Sequence, residues 1–151
     1  VKMPLYIAGR FFYNRSRNRK GAHTMETKTV TLHKTVTEAD TAARVGSGSL
    51  PVLATPALIA WMEEAACACC ADLLEPETTS VGTEMNMRHT AASPVGMAVT
   101  VTACLTAAEG RTLTFRLTAA DTAGPIGEAA HTRAIVRAGR FMEKTNAKLT
   151  P

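Results

Sequence analysis

The residues that most constrain this chain run from Leu53 to Leu74: Leu-Ala-Thr-Pro-Ala-Leu-Ile-Ala-Trp-Met-Glu-Glu-Ala-Ala-Cys-Ala-Cys-Cys-Ala-Asp-Leu-Leu. Thr55 can cap a helix and Pro56 suits its first turn. From Ala57 to Ala71 the stretch is apolar or small in every direction, broken only by Glu63 and Glu64. A helix that is hydrophobic all round is expected to be buried on all sides. Two adjacent carboxylates in its middle are costly unless they are paired, placed at a cleft, or used. The rest of the chain must wrap this helix, and Glu63 or Glu64 is where chemistry is to be sought.

The chain has 151 residues, enough for one domain with its own core and too few for two ordinary ones. Its net charge of +4 is carried by residues 1–24, which hold Lys2, Arg10, Arg15, Arg17, Arg19 and Lys20 and no acidic residue. That leaves 11 of the 17 Lys and Arg against all 13 Asp and Glu in residues 25–151, a net −2. The basic balance therefore gives no ground for nucleic-acid binding by the domain. Residues 1–24 read as a targeting segment, a nucleic-acid or membrane arm, or sequence added by start-site choice. Their apolar knot, Phe11-Phe12-Tyr13, is too short for a signal h-region or a membrane span. Met25 opens sequence of ordinary strand character. The expectation is thus an extraneous, mostly disordered leader over 1–24, a single domain over 25–151, and no membrane partner.

Cys67, Cys69, Cys70 and Cys104 are the only cysteines. Cys67-x-x-Cys70 matches a redox spacing by count, but no second pair or His cluster completes a metal site. Small packing residues among the alanines is their expected role, and free thiols without a signal peptide point to a reducing cytoplasm.

Lys28 to Thr37 is Thr/Val-rich and reads as a first strand, with Val30, Leu32 and Lys34 on one face. Glu38 to Ala43 reads as strand continuation or a short helical turn, and Arg44 to Pro51 as a flexible Gly/Ser loop. Pro76, within Glu75 to Thr79, ends the helix. Strands are then expected over Ser80–Thr90, Met97–Thr106, Thr112–Thr118 and Ile126–Arg137. The first alternates Val81, Thr83, Met85, Met87 and His89 against Gly82, Glu84, Asn86, Arg88 and Thr90. Gly-, Pro- and Asp-bearing connections at 92–96, 108–110 and 121–125 are tight turns, which make consecutive strands antiparallel neighbours. The sum is an α+β fold in which one curled antiparallel sheet holds the long helix on its concave face. Its open edges make a homodimer the default.

A half-buried carboxylate suits a general base or nucleophile; the alternative is that one glutamate faces solvent and the other pairs with an arginine. His89 ends an apolar strand face, where packing and proton transfer both remain open. His33 and His131 have no such setting and are read as bystanders. Thr55 is read as an N-cap whose helix end offers free N–H groups to a developing oxyanion. Thr55 and Glu63 stand eight residues apart, about 12 Å of helix rise. One substrate carbonyl cannot touch both from one chain, whereas a symmetric dimer can bring the helix start of one subunit toward Glu63 of the other. The sequence holds no G-x-S-x-G, P-loop, dinucleotide glycine pattern or H-E-x-x-H, so serine hydrolase, NTPase and zincin chemistry are unsupported.

Several motifs in combination resemble the hotdog-fold thioesterases related to fluoroacetyl-CoA thioesterase. They are Ala54-Thr55-Pro56-Ala57-Leu58, Met62-Glu63-Glu64-Ala65-Ala66, Ser80-Val81-Gly82-Thr83 and Met87-Arg88-His89-Thr90-Ala91-Ala92. Pro94-x-Gly96-Met97, Val99-Thr100-Val101 and Gly127-Glu128-x-x-His131-x-Arg133 extend the match over about residues 26–145. The resemblance implies a hotdog fold, a dimer, and hydrolysis of an acyl-CoA thioester with no metal and no cofactor beyond the CoA of the substrate. It places the catalytic set on Thr55, Glu63 and His89. Gly82 matches a backbone position near the acyl carbonyl, and Arg133 an arginine close to the site. Glu63 would attack the thioester or activate water, His89 would transfer the proton, and Thr55 would orient the reacting groups. The fluoroacetyl-specific enzyme carries phenylalanines in a lid before the central helix, whereas Arg44 to Pro51 has none. A general short or medium acyl-CoA is the expected substrate. The rival readings are a non-catalytic acyl-CoA-binding or sensing module on the same fold, and a hydratase or dehydratase. The last needs an Asp/His pair, and Asp40, Asp72 and Asp121 show no His partner in the sequence.

Overall fold

The structure, a computed structural model, describes residues 28–149. The leader expected over 1–24 and the start at Met25 lie outside the described residues. In chain order the elements are β1 (Lys28–Thr35), α1 (Ala42–Val45), α2 (Thr55–Cys70), β2 (Thr78–His89), β3 (Ala98–Glu109), β4 (Thr112–Asp121), β5 (Gly124–Arg137) and α3 (Ala138–Asn146). The strands form one antiparallel sheet in the order β1-β3-β4-β5-β2. This is the α+β hotdog architecture expected above.

The core lies between the sheet and α2. Val99, Val101, Ala103 and Leu105 from β3 and Leu113, Phe115, Leu117 and Ala119 from β4 alternate with more exposed neighbours and are buried. That period of two sends one row of each strand toward the helix. From α2 they meet Leu58, Trp61, Met62, Ala65, Ala66, Cys69 and Cys70. Cys69 and Cys70 are fully buried as packing residues, in keeping with their reading from sequence.

In three places the structure departs from the expected arrangement. First, α2 is not buried all round: Pro56, Ala60, Glu64 and Cys67 form an exposed stripe at helical spacing. Apolar composition alone cannot tell a wrapped helix from one whose last face awaits a partner. Second, the meander covers only β3, β4 and β5. After β2 the chain crosses the sheet to β3, next to β1. The crossing segment is tied down at both ends, by Thr90 N–H to the Ile126 carbonyl (2.8 Å) and Gly96 N–H to the Val36 carbonyl (2.8 Å). In between, the Ser93 carbonyl accepts from Leu53 N–H just before α2. Its short length suggests a hairpin, but its partners are the ends of β5 and β1. Third, β2 carries a bulge between Gly82 and Glu84. Gly82 faces Arg133 across the ladder and Met85 faces His131, and both partners are buried. The inward parity thus changes from even (Ser80, Gly82) to odd (Met85, Met87, His89), so Val81 does not share the His89 face.

The loop expected over Arg44–Pro51 begins within α1, a single turn that Thr41 caps through Arg44 N–H. α3 was not foreseen; its apolar Phe141 and Met142 are exposed. Among the described residues no helix is long and apolar enough to cross a membrane.

Candidate active site

Thr55 is the first residue of α2, and Ala54, not Thr55, occupies the capping position. The N-cap expected at Thr55 is therefore absent, and its hydroxyl is free to act elsewhere. Its Oγ1 lies 2.9 Å from His89 Nδ1. His89 comes from the last position of β2, which the post-bulge parity turns inward toward the start of α2. The other ring nitrogen, Nε2, is buried and has no hydrogen-bond partner among the described residues. Burial holds this imidazole below its ordinary pKa of 6.5, so the ring is kept neutral. A neutral imidazole can take a proton, which is what a transfer group requires.

Beside this pair lies a pocket of about 330 Å³ lined by Ala42, Ser47, Ala54, Thr55, His89 and Ala91 among others. Its walls are small because α1, the segment after it and the 90–92 segment bring alanine and serine to the surface. Among the described residues no phenylalanine, tyrosine or tryptophan lines it. The first turn of α2 also opens here, and the N–H groups of a helix start have no intrahelical acceptor.

A second cluster forms along α2. Glu63 is half-buried, its side chain 41% exposed, and Oε1 lies 3.5 Å from Arg133 Nη1 and 3.7 Å from His131 Nε2. Arg133 is 5% exposed and points inward from β5. Its Nε donates to Ser80 Oγ and its Nη2 to the Ser80 carbonyl, both at 2.9 Å. Gly82 leaves the space that the Glu63 carboxylate fills, since a Cβ there would collide with Oε1. Glu64 points to the other side of the helix and pairs with Lys34 from β1. The two adjacent glutamates are thus resolved by geometry: one faces a buried arginine and histidine, the other a half-buried lysine. Among the described residues no group of three or more His, Cys, Asp or Glu side chains is placed to hold a metal ion.

The five residues singled out from sequence accordingly fall in two groups. Thr55 and His89 meet at the start of α2. Glu63, Gly82 and Arg133 meet two turns along it.

The model of the fluoroacetyl-CoA-specific thioesterase family (FlK) matches residues 36–139. The chain belongs to this thioesterase family. The fluoroacetyl-CoA thioesterase of Streptantibioticus cattleyicolor is 43% identical over 98 residues, which cover 65% of this chain and 68% of that protein. The solved fluoroacetyl-CoA thioesterase FlK superposes with a TM-score of 0.77 at 35% identity, over 82% of this chain and 96% of the other. A variant of FlK solved in complex with fluoroacetate and CoA gives 0.72 at 34% identity, over 76% and 96%. At 20% identity, a hot-dog-like protein from Thermanaerovibrio acidaminovorans shares the fold alone, with a TM-score of 0.75 over 82% of this chain and 91% of that one.

One residue of this thioesterase escaped the sequence reading. His131, set aside as a bystander, is 1% exposed and lies in the Glu63 cluster. The signal was present in His131-x-Arg133, because two residues apart on a strand share a face. Arg133 could not point toward the helix unless His131 did so too. Cys67, in contrast, is exposed on the open side of α2 rather than buried with its neighbours.

Proposed function

We propose that the protein hydrolyses the thioester of a short- or medium-chain acyl-CoA to a carboxylic acid and CoA. The site combines Thr55 and His89 of one protomer with Glu63, Gly82 and Arg133 of its partner in a homodimer. The observation that carries this reading is the Thr55–His89 pair. A hydroxyl withdrawn from helix capping meets an imidazole whose second nitrogen is buried without a partner among the described residues, beside a pocket of about 330 Å³.

In this scheme Glu63 removes a proton from the water that attacks the acyl carbonyl, or attacks it directly to form a mixed anhydride that water then hydrolyses to the acid. The carbonyl oxygen, held near Gly82, becomes an oxyanion, which the free backbone N–H groups at the start of α2 stabilise as preorganised donors. Collapse of the tetrahedral centre breaks the C–S bond, and the thiolate leaves with a proton relayed through His89. Thr55 fixes the ring through Nδ1. Arg133 orients Glu63 through the contact at 3.5 Å. The relatives named for fluoroacetyl-CoA support an acyl-CoA substrate. The small walls of the pocket, free of phenylalanine among the described residues, favour acyl groups beyond fluoroacetyl. Four free cysteines are in keeping with action in a reducing cytoplasm.

The test is steady-state hydrolysis of an acyl-CoA panel, with a thiol reagent to detect released CoA. Glu63→Gln is expected to lower kcat on the order of 10² to 10⁴-fold, the range of a lost acid–base group. If wild type and Glu63→Gln were equally inert while CoA esters still bound, the non-catalytic binding module would be the correct reading.

A further inference from the structure

The Glu63 cluster contains one buried group to which the proposed reaction gives no part. His131, on β5, lies opposite Phe115 of β4, the two ring centroids 6.1 Å apart. Its Nδ1 is 2.7 Å from the Glu84 carbonyl oxygen. A carbonyl only accepts, so Nδ1 carries the hydrogen. Burial keeps the ring neutral, and Nε2 is then left with a lone pair. That lone pair faces Arg133 Nη1 at 3.2 Å, so the guanidinium donates to it. The distance from Nε2 to Glu63 is 3.7 Å, too long for a hydrogen bond.

The guanidinium is thereby fixed at three corners. Ser80 takes Nε and Nη2, and His131 takes one hydrogen of Nη1. The remaining Nη1 hydrogen is directed at Glu63 Oε1, 3.5 Å away. The chain of contacts begins at the bulge in β2, which both bares the Cα of Gly82 to Glu63 and turns the Glu84 carbonyl toward the ring. The charged groups that face His131 are Glu63 from α2 and Arg133 from its own strand. β2 contributes only a carbonyl and β4 only an aromatic ring.

We propose that His131 is a positioning residue that aims Arg133 at Glu63, with the Glu84 carbonyl selecting the tautomer that lets it accept. The inference rests on Glu63 being the carboxylate of the reaction, so Glu63→Gln is measured beside it. His131 does not touch the substrate and acts through Arg133 alone. Its removal therefore loosens the carboxylate without removing any substrate contact.

The experiment is steady-state kinetics with acetyl-CoA and with the acyl-CoA that wild type hydrolyses fastest. His131→Leu is expected to lower kcat on the order of 10- to 100-fold, the scale of a misplaced reacting group, with KM little changed. His131→Gln keeps an acceptor oxygen near the place of Nε2 and is expected to recover most of the loss. On an Arg133→Met background, His131→Leu is expected to cost nothing further, because the two residues act as one unit. Nitrogen-15 spectra of the wild-type protein are expected to show His131 as the neutral Nδ1–H tautomer at neutral pH, a readout independent of any variant's folding. Unchanged kcat in a folded His131→Leu, full additivity with Arg133→Met, or an Nε2–H tautomer would each overturn the inference. If Glu63→Gln were as active as wild type, the fault would lie instead in the catalytic role given to Glu63.

Discussion

Two imidazoles on the inner face of the sheet, His89 and His131, are held below their ordinary pKa of 6.5, in both cases chiefly by burial. Each would gain charge in a place where water cannot solvate it. In the unfolded chain the same rings bind a proton near 6.5. As pH falls below that value the unfolded state therefore binds more protons than the folded one, and stability falls with pH. The loss begins near the unfolded pKa and ends at the depressed folded values; above 6.5 the two rings cost nothing. Urea unfolding measured from about pH 7.5 to about pH 5 should show this decline, with a shallower slope in His131→Gln. A slope identical in the two proteins would mean that His131 titrates normally in the fold. The same residue shows where sequence reading stops. His131 and Arg133 stand two apart on a strand, which fixes a common face. Which face that is depends on the register of β5 against β2 and β4, and no local pattern specifies it.

At the scale of elements, β2 and α2 together make the Glu63 cluster. Most of α2 was legible, because a long run of apolar and small residues around two carboxylates fits few structures except a helix in a core. Its open stripe was not, since burial belongs to the assembly and not to the segment. Nor was the bulge at Gly82, because a strict alternation of Val81, Thr83 and Met85 runs straight through it. An extra residue in a strand leaves no mark in composition; it is set by the ladder that β2 makes with β5. Gly82 is the residue that lets the helix approach there. Gly82→Ala would place a Cβ against Glu63 Oε1, and 3.2 Å from His131 Cε1. The carboxylate is the flexible end of a long side chain and can move away, so the fold should tolerate the change. Activity should not: kcat is expected to fall by about 10²-fold, the cost of a displacement near 1 Å, while the unfolding midpoint shifts little. Wild-type kcat in the Gly82→Ala protein would show that Glu63 need not occupy this position.

At the scale of the molecule, the sheet ends at β2, a twelve-residue strand whose outer edge has no partner among the described residues. The exposed stripe of α2 lies on the helix that bears Glu63. Unpaired edges of this length are commonly covered by a second copy. The two groups of site residues, separated by about 12 Å of helix rise, point to the same arrangement. The central claim is that a working site takes Thr55 and His89 from one protomer and Glu63 from the other. It is tested most directly by mixing His89→Ala with Glu63→Ala, each inactive alone, through a cycle of unfolding and refolding. Random pairing makes half of the dimers mixed, and each mixed dimer carries one intact site of two, so about a quarter of wild-type activity should return. If the site lay within single chains, no mixture of the two variants would recover activity.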